Sequence, residues 1–129
     1  MLPAGKAQIA SVSRDDIAAA AATVLTGDDH VGKTYRLTGR VAHDVATLAE
    51  TVNHALGAKI AYVDCPPPDY LLQAWQTWSD PWPHAFSTML ASIRAGNFAA
   101  TSHDVERLTG RPAEDFATFL RRSQARPQD

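Results

Sequence analysis

The sequence has a single cysteine, Cys65, so no intrachain disulfide can form and a cytoplasmic, reducing setting is expected. It has no excess of either charge. Twelve basic and fourteen acidic residues leave a net charge of −2, which offers no field to nucleic acid or an anionic membrane. It has no long apolar run: the stretch from Ile17 to Leu25 is alanine-rich, flanked by charges and too short to span a bilayer. The opening MLPAGKAQIASVSRDD lacks the apolar core of a signal peptide. No glycine-rich turn follows a first strand, so a dinucleotide cradle is missing. No tyrosine is followed four residues later by lysine: Tyr62 meets Pro66 at that distance and Tyr70 meets Ala74. His30, His43, His54, His84 and His103 are not spaced with Cys65 or each other as metal ligands. Ser11 and Ser13 have no nucleophile-elbow context. No catalytic, cofactor-binding or metal-binding residue is therefore assigned.

What is present suits one α/β domain over 1–129. The apolar share is 45% and the charged share 20%. Ile9–Val12 reads as a first strand. Ser13 then stands as a helix N-cap, with Asp16 three residues on to complete a capping-box-like pair, and Gly27 ends that helix. Thr34–Leu37 is the second predicted strand. Val41, Val45, Leu48, Ala49, Val52 and Leu56 give the next helix, which stops at Gly57, and Lys59–Asp64 is the third strand. Cys65, at the end of that run and before Pro66, Pro67 and Pro68, reads as a small packed residue rather than a catalytic thiol.

Three short strands thus alternate with helices in the first half, and the second half is all helical. Leu71, Trp75 and Trp78 mark one helix. After a break at 79–83, Asp80 is a candidate cap with Pro81 at the first helical position. Phe86, Met89, Leu90 and Ile93 mark the next helix. A short helix runs from Ser102 to Leu108 before Gly110, and a last one carries Phe116, Phe119 and Leu120.

Gly27, Gly32, Lys33 and Thr34 match the phosphate-binding pattern G-x-x-x-x-G-K-T. That loop needs a strand before it and a helix after it, so that backbone amides and a helix N-terminus converge on phosphate. Here the predicted order is reversed, and the pattern is read as coincidence. The more informative cluster is aromatic. Tyr70, Trp75, Trp78, Trp82, His84 and Phe86 lie close together and include all three tryptophans. Such spacing builds helix-packing cores. It also suits a proline-punctuated wall around a small apolar or planar ligand, and these six are the substrate-pocket candidates.

Taken in order, four segments resemble the NmrA-like branch of atypical short-chain dehydrogenases, which includes NAD(P)H:quinone oxidoreductases. The first rests on Gly5, Ile9, Asp16, Ile17 and Ala18, and the second on Tyr35, Leu37, Thr38 and Gly39. The third rests on Leu56, Gly57, Ile60, Tyr62 and Val63. The fourth rests on Asp104, Leu108, Thr109, Gly110, Pro112, Phe116 and Phe119. The resemblance covers nearly the whole chain and implies its carboxy-terminal, substrate-side portion. It also explains the phosphate-loop look-alike, whose Gly32-Lys33-Thr34 is the entry to a family strand.

Intact relatives are expected to hold NAD(P)H in an amino-terminal Rossmann half that this sequence does not contain. No cofactor is expected in this chain, and no reductase activity is expected from it alone. The alternative is a stand-alone binding or oligomerisation module without catalysis. Either a second copy or a separate Rossmann half is the expected partner, since loss of that half exposes apolar surface.

Overall fold

Three of the helices start where a short polar side chain takes up a free backbone N–H. The computed structural model describes residues 1–79 and 81–125. Helix α1, Arg14–Thr26, opens with Ser13 Oγ accepting from the Asp16 N–H at 3.0 Å. Helix α2, Val45–Leu56, opens with Asp44 accepting from Thr47 at 2.8 Å and ends at Gly57 with φ of 65°. That left-handed conformation is one glycine adopts without a Cβ clash. Helix α3, Pro67–Thr77, begins on prolines, which lack an N–H to satisfy. Helix α4 is Trp82–Arg94, α5 is Asp104–Thr109, and α6 is Phe116–Gln124 with Asp115 as its cap. The cap predicted at Asp80 lies outside the described residues.

The helices pair as α1 with α5, α2 with α6 and α3 with α4. Between them lies a minimal antiparallel ladder. Strand β1, Gln8–Ile9, faces β2, His43–Asp44, with Gln8 opposite Asp44 and Ile9 opposite His43. The main core joins Ala4, Cys65, Tyr70, Ala74, Leu90 and Ile93. It therefore sits between the opening segment, the residues before α3 and the α3–α4 hairpin. No helix among the described residues is long and apolar enough to cross a membrane.

The architecture is α/β but mostly helical, and the three predicted strands are corrected. The first is two residues long and displaced to Gln8–Ile9. Thr34–Leu37 forms no strand. Side chains take its polar backbone groups instead: the Arg36 N–H donates to Asp104, and Ser102 Oγ donates to the Arg36 carbonyl. Lys59–Asp64 also forms no strand. Asn53 brackets Ile60, donating to its carbonyl and accepting from its N–H at 2.8 Å each, and only Asp64 forms a single parallel bridge, to Leu2. β-branched residues favour a sheet only when a neighbouring strand supplies partners, and here side chains satisfy the backbone first. The second helix also starts later than its apolar pattern implied. Val41 is exposed and His43–Asp44 is the unexpected β2.

Candidate functional site

The α3–α4 hairpin gathers the aromatic residues, but not around one cavity. Tyr70 points into the core, and burial, then the Cys65 thiol, pushes its phenol above the ordinary range. Trp75 meets His84 edge-on with ring centres 5.4 Å apart. Trp78 and Trp82 both lean on Phe86, at 5.4 and 6.1 Å. These separations suit aromatic pairing. The three indoles nevertheless stay substantially exposed, at 41%, 45% and 56% for Trp75, Trp78 and Trp82. For three neighbouring tryptophans that is a large apolar surface to leave against water.

Two of the six candidates share a cavity of about 210 Å³. Tyr70, Gln73, Ala74, Thr77 and Trp78 of the hairpin form one side, and Met1 and Leu2 form the other. Trp75, Trp82, His84 and Phe86 lie outside it. The residues on its far side, Met1 and Leu2, carried no signal in the sequence, because they belong to no period and no motif. The opening segment is held by Tyr62, Asp64 and Arg94. Asp64 Oδ1 accepts from the Gly5 N–H and from Arg94, each at 2.9 Å. These contacts, Arg94 foremost, hold the Asp64 carboxyl below its usual range. Burial, and then Asp64, push the Tyr62 phenol up.

A wider cavity of about 420 Å³ lies between the segment after Gly39 and the start of α6, and its lining includes Arg40, His43, Glu114 and Asp115. Its acids are committed elsewhere: Glu114 takes two bonds from Arg122, and Asp115 caps Thr118. Asp16 also acts structurally. It does not reach back along α1 as a capping-box partner. Its Oδ2 accepts from the Glu114 N–H at 2.8 Å, 98 residues away in sequence. Its Oδ1 lies 2.7 Å from an Arg111 guanidinium nitrogen. That second contact is an ion pair without hydrogen-bond alignment, so the distance counts as attraction and not as a satisfied acceptor.

The described residues do not fit a dinucleotide. Residues 10–13, which join β1 to α1, contain no glycine, and Ser13 already fills the N-terminus of that helix. Asp15 and Asp16 in its first turn would repel a pyrophosphate. Strand β2 runs directly into α2 with no turn between them. Gly27 and Gly32, the glycines of the phosphate-loop look-alike, follow a helix and precede an irregular segment.

No protein-family profile matches the chain. Quinone oxidoreductase 2 of Escherichia coli is 31% identical over 118 residues, which are 88% of this chain and 40% of that protein. The NAD(P)H azoreductase of Xenophilus azovorans is 29% identical over 125 residues, 93% of this chain and 42% of that protein. The E. coli NADPH-dependent quinone oxidoreductase, solved in complex with NADPH, superposes with a TM-score of 0.88 at 26% identity, covering 95% of this chain and 44% of its own. The chain thus corresponds to a portion, about two fifths, of NAD(P)H-dependent oxidoreductases.

Proposed function

We propose that residues 1–129 act as the substrate-side domain of an NmrA-like oxidoreductase, in which the α3–α4 hairpin receives a planar apolar acceptor such as a quinone. The observation that carries this reading is the half-exposed Trp78 indole lining a cavity with Tyr70, on a hairpin that also leaves Trp75 and Trp82 exposed. Apolar planes left half-open to water gain most from stacking a flat ligand. In this reading Tyr70 and Trp78 line the cavity, and Trp75, Trp82, His84 and Phe86 form the outer aromatic face of the same hairpin. Hydride would come from NAD(P)H held outside residues 1–129, and these residues by themselves would be inactive.

The test is titration with 1,4-naphthoquinone while tryptophan emission is followed. The expected result is saturable quenching that Trp78→Ala weakens. Linear, collisional quenching no different from that of free N-acetyltryptophanamide would refute the assignment. A steady NADPH-dependent quinone reduction by the purified chain would refute its inactivity.

A second reading, a binding or self-association module, has its own observation. Leu25 and Val31 are 84% and 94% exposed, and Leu25 lines an apolar groove with Val24, Leu37 and Leu108. Surface of that kind is commonly covered by a partner.

A further inference from the structure

The opening segment is held more firmly than its lack of regular structure implies. Pro3 and Ala4 are fully buried. The Leu2 N–H donates to the Val63 carbonyl at 3.1 Å. Gly5, at φ of 60°, turns its N–H onto Asp64. The Tyr62 hydroxyl lies 3.1 Å from the Leu2 carbonyl, 3.2 Å from that of Gly5 and 3.1 Å from Asp64 Oδ1. It has one proton, so it serves these acceptors in turn and keeps all three close. Arg94, the last residue of α4, grips both oxygens of Asp64 through one nitrogen, at 2.9 and 3.2 Å.

We infer that Tyr62, Asp64 and Arg94 are positioning residues that fix Leu2 opposite Tyr70 and Trp78, and so set the width of the acceptor cavity. The inference rests on the reading that this cavity takes the acceptor. The three residues connect the two walls of the cavity: Tyr62 and Asp64 hold the opening segment, and Arg94 ties Asp64 to the helix that packs against α3. The ion pair is 41% exposed on each side, so solvent screens it and it adds little to global stability. Its effect is geometric. Two walls joined by several short polar contacts cannot separate without breaking them together.

The experiment uses a Trp75→Phe/Trp82→Phe background, in which Trp78 is the only tryptophan left. Tyr62→Phe and Arg94→Met are expected to raise acrylamide quenching of Trp78 while the melting temperature stays near that of the background. They are also expected to weaken 1,4-naphthoquinone binding about tenfold. Arg94→Lys, which keeps a donor, restores part of both. Quinone binding is measured without the two Trp→Phe changes: if the otherwise unsubstituted protein binds the quinone and its Tyr62→Phe and Arg94→Met variants bind it equally well, the clamp is overturned and the proposed function stands. If the unsubstituted protein fails to bind, the proposed function falls, and Trp78 accessibility in the background still decides the clamp: no change on Tyr62→Phe overturns it. A melting temperature that falls in step with affinity, without rescue by Arg94→Lys, would show a merely structural role and also overturns it.

Discussion

Replacing Asp16 by alanine removes the carboxylate that ties the first turn of α1 to the segment before α6. Asp16 is 0% exposed, so whatever it leaves behind is left in the interior. The Glu114 N–H loses its acceptor at 2.8 Å, and an unpaired buried donor costs about 1–3 kcal/mol. Arg111 loses its ion-pair partner, but its side chain is 51% exposed, which limits that loss to roughly 1 kcal/mol or less. Relief from holding a desolvated carboxylate offsets part of the sum. The expected net cost is about 1–3 kcal/mol. For 129 residues that lowers the melting temperature by roughly 4–11 °C. Asp16→Asn keeps an acceptor for the Glu114 N–H and should cost about half as much. Arg111→Ala should cost about 1 kcal/mol at most. Urea unfolding of the three variants, with the double mutant to close the cycle, measures each term. An Asp16→Ala protein within about 0.5 kcal/mol of the parent, the range of an ordinary surface change, would refute the reasoning.

Gly39→Ala should also destabilise, because a Cβ there would sit 2.1 Å from the Ser11 carbonyl oxygen. Backbone cannot yield as a side chain does, so a cost of at least about 1–3 kcal/mol in urea unfolding is expected. On the acid side, Asp64, Asp44 and Asp115 are all lowered from 3.8, by Arg94, Thr47 and Thr118 contacts respectively. Groups lowered in the fold contribute fully above 3.8 and lose that contribution as pH falls through their folded values, so stability measured by denaturant titration should hold at pH 5 and drop below 3.8. On the alkaline side, Tyr62 and Tyr70 are raised from 10.0, so their contribution is complete below 10.0 and is lost above it; phenolate absorbance should show both ionising later than a free tyrosine. If the groove beside α1 is a self-association surface, Leu25→Lys should shift sedimentation toward the monomer without lowering the melting temperature, since Leu25 is 84% exposed.

Local signals in the sequence marked the helices well. Ser13 with Gly27 bracketed α1, Gly57 and Gly110 stopped α2 and α5, and the prolines at 66–68 opened α3. These features work within one helical turn, so no distant residue needs to be known. The strands were misjudged because a strand exists only through its neighbour. Ile60, Tyr62 and Val63 have the residue types of a strand, yet Asn53 and the Tyr62–Asp64 contacts claim much of that stretch. The aromatic cluster was visible in the spacing from Tyr70 to Phe86. Its division into a buried Tyr70, a cavity-lining Trp78 and outward Trp75 and Trp82 was not, since a one-dimensional pattern does not show where the opening segment crosses the hairpin.

By itself, then, the sequence determined several helix ends and the place of the aromatic hairpin, which depend on residues near one another along the chain. Only the tertiary structure decided that Asp16 reaches Glu114 rather than its own helix. It alone decided that Leu2 and Gly5 are held by Tyr62 and Asp64 with Pro3 and Ala4 buried between them, and that one cavity pairs Leu2 with Trp78. Such contacts bring together groups tens of residues apart, and their partners are chosen by packing and by the need to satisfy buried polar atoms, neither of which a local pattern records.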